Sequence, residues 1–211
     1  MKQARLDQLA DGIFAIVMTI LVFEIKIPDY VGVVSEHTLI RALINLFPIF
    51  LSYLLSFSLL FTYWRSHHFI ESILAKNIDL KFSNLNAIFF FFVGLVPFSS
   101  YLLGKYSYSQ TAIFFFASNV ILIGLSLFRM RQYVIHSTTI ENAVVTKTEN
   151  EHANMRILFP VGASIIAIVV SFYSSYFAIF LFTVAILFNL LEKSTKHTFI
   201  LVDLFRKKEV I

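Results

Sequence analysis

The chain has 211 residues, of which 58% are hydrophobic and only 14% charged, with a net charge of +4. A mean hydropathy of +0.78 leaves too few charges to cover a water-soluble domain of this size and far too much apolar material for disorder. Cysteine is absent, which excludes disulfide frameworks, thiolate zinc sites and cysteine nucleophiles. The positive balance reads as basic loops flanking a membrane rather than a nucleic-acid surface.

Six apolar stretches mark an all-α integral membrane protein, with spans at about 6–27, 42–64, 85–103, 112–127, 157–172 and 175–191. A helix needs about 20 residues to cross the hydrocarbon core. The strictly apolar core of the first, residues 12–23, has the length of the apolar region of a secretory signal peptide. That reading fails on its flanks: Asp7 and Asp11 stand where a basic region belongs, and Glu24 and Lys26 follow Phe23 without a small-residue cleavage site. Pro48, Pro97 and Pro160 are candidate kinks in the second, third and fifth spans. The fifth and sixth form one apolar run, broken only by Ser171-Phe172-Tyr173-Ser174-Ser175-Tyr176, which reads as a tight turn. Residues 132–154 read as a polar loop. Residues 1–191 thus form one six-helix transmembrane domain, followed by a 192–211 tail. The tail mixes basic residues with Phe199, Leu204 and Phe205, and reads either as an amphipathic helix on the inner leaflet or as a solvated continuation of the last helix.

Six spans place both termini on one side. Lys and Arg are split 14 to 3 between that side and the other, so the positive-inside rule makes both termini cytoplasmic.

The first span carries Asp7, Asp11, Glu24 and Lys26 around its apolar core, whereas the third to sixth carry no charge between their ends. Charges in a span face a bundle interior or water, so the first helix is the candidate to line a cavity. At about 100° per residue, Leu9, Gly12, Ile16, Thr19, Ile20, Phe23 and Ile27 share one stripe, with Asp11 on the far side. The plainer reading of such a stripe is an ordinary helix–helix seam.

The second span ends in Trp64-Arg65-Ser66-His67-His68, at the same depth as Arg5 and Asp11. These groups can form a buried hydrogen-bonded layer. A proton-handling or metal role is the alternative, but adjacent histidines diverge on a helix and the His-Glu-x-x-His spacing is absent. Asn84 and Asn86 open the third span and can bond across helices. No Walker loop, GxGxxG, GxSxG or TVGYG segment occurs, so nothing points to an enzyme or to a carbonyl filter.

Arg5-x-x-x-Leu9-Ala10-Asp11-Gly12, running on through Ala15-Ile16 to Thr19, resembles the opening helix of the transmembrane protein 175 family, whose pattern is R-x-x-x-F-S-D-G followed by A-I-x-x-T. Trp64-x-x-His67-His68 resembles the family's W-x-x-H-H, and Asn84 with Pro97-Phe98 its third helix. Leu9 replaces the usual Phe, and Ala10 the usual Ser, which removes one hydroxyl from the inner layer. The family comprises potassium-permeable channels of endosomes and lysosomes, with a single six-helix version in bacteria and archaea.

The resemblance implies a homotetramer in a prokaryotic inner membrane, with a pore lined by the first helix and an apolar side-chain constriction. Ile16 matches the constricting isoleucine and Thr19 the threonine one turn beyond. Arg5, Asp11, Trp64 and His67 match the polar layer, with His68 beside them. Ile16, Ile20 and Phe23 would form successive apolar rings, with Thr19 and Glu24 as pore-lining polar groups. No cofactor or bound metal is expected, only permeant K⁺; the partners are the other subunits and lipid. Two further readings remain open: a secondary transporter or proton-coupled carrier using Asp11 and His67, and a structural subunit whose stripe binds another protein.

Overall fold

The structure, a computed structural model, describes residues 3–28, 35–141 and 147–190. The described residues are helical throughout, apart from short connections. In lipid every backbone N–H and C=O must find its partner within the protein, and a helix achieves this inside one segment. Helix α1 is Gln3–Ile20 and tightens into a 3₁₀ turn at Leu21–Glu24. Helix α2 is Glu36–Asn45, and α3 is Phe47–His68, extended by a π-helical turn at Phe69–Leu74. Then follow α4 Leu80–Gly94, α5 Val96–Lys105, α6 Gln110–His136, α7 Lys147–Ser171 and α8 Ser175–Leu190. Among the described residues, five stretches are long and apolar enough to cross a membrane: Ala4–Glu24, Phe47–Ser72, Leu80–Lys105, Gln110–His136 and Asn150–Ser171. A shorter apolar helix, Ser175–Ile186, follows. The protein is a multi-pass, all-helical membrane protein.

Two of the three prolines noted as kinks act as restarts. Pro48 and Pro97 sit in the first turns of α3 and α5, after one-residue breaks at Leu46 and Leu95. There the missing N–H has no helical partner to lose. Pro160 lies inside an unbroken α7, and Ser164 Oγ donates to its carbonyl at 2.7 Å. The break at Leu46 also assigns residues 42–45, expected in the second span, to α2.

The polar segment 132–154, expected as a loop, is largely helical: α6 runs to His136 and α7 begins at Lys147. Arg131, fully buried, helps to hold those ends together, bonding Asn154 Oδ1 at 3.1 Å and Asn150 Oδ1 at 3.0 Å. The turn between α7 and α8 occupies 172–174. The tail falls outside the described residues.

Helix α6 packs against α4, α5 and α7, and α3 against α5 and α8. Leu55, Leu59, Tyr63, Phe82, Phe89, Phe116, Ile123 and Leu127 are among the buried side chains of the core. Gly104 permits the closest approach of α5 to α3: a Cβ there would lie 2.5 Å from Ser52 Oγ and 2.9 Å from Ile49 Cα. On the Trp64 side of the bundle, Asp79 caps α4, accepting from Phe82 N at 2.7 Å. Its other carboxylate oxygen accepts from Tyr133 and, at 2.7 Å, from Thr139. Lys81 lies over the Tyr133 ring at 4.8 Å. Desolvation pushes the Asp79 carboxyl up, but these hydrogen bonds to the ionised form outweigh it and hold the group below its ordinary value.

Candidate functional site

Helix α1 has two unlike faces. Leu6, Ala10, Phe14, Val17 and Leu21 are buried in the chain's own core. The opposite face carries the stripe read from the sequence: Leu9, Gly12, Ile16, Thr19, Ile20, Phe23 and Ile27 are all exposed in the single chain. Ile16 is 59% and Phe23 66% exposed, against 1% for Phe14. The exposed face is wider than the stripe, because Gln8, Ala15 and Val22 share it. This wide face leaves Asp11 on a flank of α1 rather than on its far side.

Thr19 is held by its own helix. Its hydroxyl lies 2.8 Å from Ala15 O and 2.9 Å from Ile16 O, donating inward. The proton is thereby committed to the backbone, and the oxygen lone pairs remain for whatever faces the helix. Gly12 meets open space at its would-be Cβ. Glu24, half-buried, ends the 3₁₀ turn.

Four of the five residues assigned to the polar layer are brought together where α1 meets the end of α3. Trp64 Nε1 donates to Asp11 Oδ1 at 2.9 Å. The Trp64 ring stacks on His68 at 6.0 Å between centroids, and His68 Nδ1 lies 3.3 Å from Ser72 Oγ. Ser72 Oγ also donates to Asp7 Oδ1 at 3.3 Å. The two histidines diverge, as adjacent helical residues must. His67 points into the core at 1% exposure, its Nε2 2.7 Å from Asn86 Oδ1. Its ring stacks on Phe89 at 5.0 Å and 5°, with Phe14 at 6.1 Å. Asn86 is anchored in turn by donating to Phe82 O at 3.1 Å. Arg5 is exposed, and among the described residues no hydrogen bond joins it to this layer.

Of the two asparagines noted in the third span, Asn86 is the histidine's partner and Asn84 is exposed. Glu71 was missed. Its carboxylate sits 3.5 Å from His67 Nδ1, with both side chains at 1% exposure. The i, i+4 spacing His67–Glu71 was the available signal.

Residues 5–97 match the family model described as the endosomal/lysosomal potassium channel TMEM175. The chain is similar to a potassium channel of Chamaesiphon minutus, 29% identical over 196 residues, covering 90% of this chain and 94% of that protein. It is similar to a potassium channel of a Chryseobacterium species, 27% identical over 203 residues, covering 93% of this chain and 100% of that one. The fold is similar to the crystal structure of a lysosomal potassium-selective channel TMEM175 homolog from Chamaesiphon minutus, with a TM-score of 0.75 and 26% identity over 89% of this chain and 95% of that chain.

Proposed function

Because the chain belongs to the TMEM175 family of potassium channels, we propose that it is a leak-like, potassium-permeable channel. It works as a homotetramer in a prokaryotic plasma membrane, with six spans, cytoplasmic termini and a pore lined by α1. The observation that carries this reading is the exposed face of α1. The one span with charges around its apolar core also presents an apolar stripe that its own chain leaves uncovered. Closed cyclic symmetry gives that stripe a partner, namely its own copies around an axis.

In this arrangement Ile16, Ile20 and Phe23 form successive apolar rings, with Ile16 the narrowest. Such rings strip water from an ion without replacing it. Potassium releases its hydration shell more cheaply than sodium, so a tight ring favours potassium modestly. Thr19 offers its lone pairs just beyond the constriction, and Glu24 concentrates cations at the outer mouth. No cofactor takes part; K⁺ is the permeant ion.

A proton-coupled carrier would need Asp11 and His67 presented to the transport path. Asp11 is engaged by Trp64, and His67 is enclosed by Asn86 and Phe89, away from the α1 stripe. The deciding experiment is reconstitution into planar bilayers under bi-ionic K⁺/Na⁺ conditions. Unitary currents with a reversal potential favouring potassium are expected. Slow, saturable exchange without unitary events would replace the channel with a carrier.

A further inference from the structure

The end of the bundle that carries Trp64 holds a second feature, which the pore does not use. A cavity of about 470 Å³ opens between the end of α3, the end of α6 and the start of α7. Arg65, Arg131 and Arg156 line it with His68 and His152, and no carboxylate is among the described residues that do so. Trp64 and Phe69 supply aromatic wall.

Arg131 makes this more than a basic patch. It is fully buried, and its two bonded nitrogens meet only neutral amide oxygens, those of Asn154 and Asn150. Its third nitrogen, Nη1, is buried with no hydrogen-bond partner among the described residues. A buried guanidinium satisfied by amides alone lacks a countercharge, and an unmet charged donor is costly. Phosphate oxygens accept the forked guanidinium donors in pairs, and three arginines around one cavity can share one such group.

We propose that this cavity binds a phosphate group, with Arg131 as its fixed anchor and Arg65 and Arg156 closing around it. Two sources supply that chemistry: an anionic phospholipid headgroup and a soluble polyphosphate. The inference does not depend on ion conduction and is tested without it.

The test uses the full chain in mild detergent and reads its thermal unfolding midpoint. One arm adds inorganic pyrophosphate. The other adds phosphatidylglycerol, with a glycosyl diacylglycerol as the phosphate-free control. Binding to the folded state raises the midpoint in a concentration-dependent way. A rise with phosphatidylglycerol alone assigns the site to a headgroup, and a rise with pyrophosphate alone to a soluble phosphate. A rise with both supports a site open to either source. The half-exposed pair Arg65→Gln with Arg156→Gln should weaken the effective probe by about tenfold or more. The single Arg65→Gln variant is measured beside it and should give a smaller loss, so that poor folding of the pair does not hide the answer. No rise with either probe, or a rise in both variants equal to that of the parent chain, overturns the proposal. A rise with the glycosyl lipid equal to that with phosphatidylglycerol, and none with pyrophosphate, overturns it also.

Discussion

Trp64 on α3 and Asp11 on α1 are joined by a 2.9 Å bond from indole N–H to carboxylate. One level deeper into the core, His67 on the same turn of α3 meets Asn86 on α4 at 2.7 Å. Two polar residues three apart on one helix thus fasten two different neighbours, α1 through Trp64 and α4 through His67.

The two fastenings should differ in worth. Trp64→Phe removes an exposed bond and should cost roughly 0.5–1.5 kcal/mol. Asn86→Leu strands the buried His67 ring nitrogen and should cost about 1–3 kcal/mol. Thermal unfolding in detergent measures both. Equal losses would show that the buried pair has no special role.

Replacing Ile16 by Asn tests the apolar ring. A polar ring hydrates either ion, so conductance should rise and discrimination against sodium should fall. Bi-ionic reversal potentials of the tetrameric variant give the answer. An unchanged K⁺/Na⁺ ratio removes Ile16 from the constriction.

Orientation is read by single cysteines in this naturally cysteine-free chain. Lys105→Cys should react with an impermeant maleimide in intact cells, and Lys147→Cys only after permeabilisation. The reverse pattern inverts the topology.

The Asp79 cap should tie stability to acid. Its folded-state carboxyl is held below the ordinary value, near 3.9 in a free chain, so its stabilisation is present above that pH. It is lost as pH falls through the lower folded value. Unfolding midpoints should therefore drop as pH falls below about 4, and Asp79→Asn should flatten that drop. An identical pH profile in the variant would refute the assignment.

Gly104→Val should destabilise by about 1–3 kcal/mol, because the new side chain meets the Ile49 backbone and not merely a movable side chain. Gly12→Ala, with nothing near its Cβ in the single chain, should leave the subunit's own fold unaffected. Intrinsic fluorescence on heating compares the two. A Gly104→Val midpoint matching the parent would show that α3 and α5 can move apart freely.

The apolar runs made the spans and the α1 stripe legible, because lipid forces helices and periodicity then fixes their faces. Boundaries were harder to read where polar residues continue a helix. The end of α6 at Gln132–His136 follows Arg129 and Arg131 and mixes polar with apolar residues, yet it is helical and carries Tyr133, the donor to Asp79. Trp64, His67 and Asp11 were recognisable by type and depth. Which histidine faced inward was not, since that depends on the rotation of α3. The pairing of Asp79 with Thr139, and of Arg131 with Asn150 and Asn154, joins segments far apart in sequence, and no local pattern announces it.

Helix α6 has 27 residues, about 40 Å of rise against a hydrocarbon thickness near 30 Å. The charged residues of α6, Arg129 and Arg131, lie towards one end, and Arg131 is buried there against α7. A helix longer than the hydrocarbon is thick is accommodated by tilt or by a locally thicker bilayer.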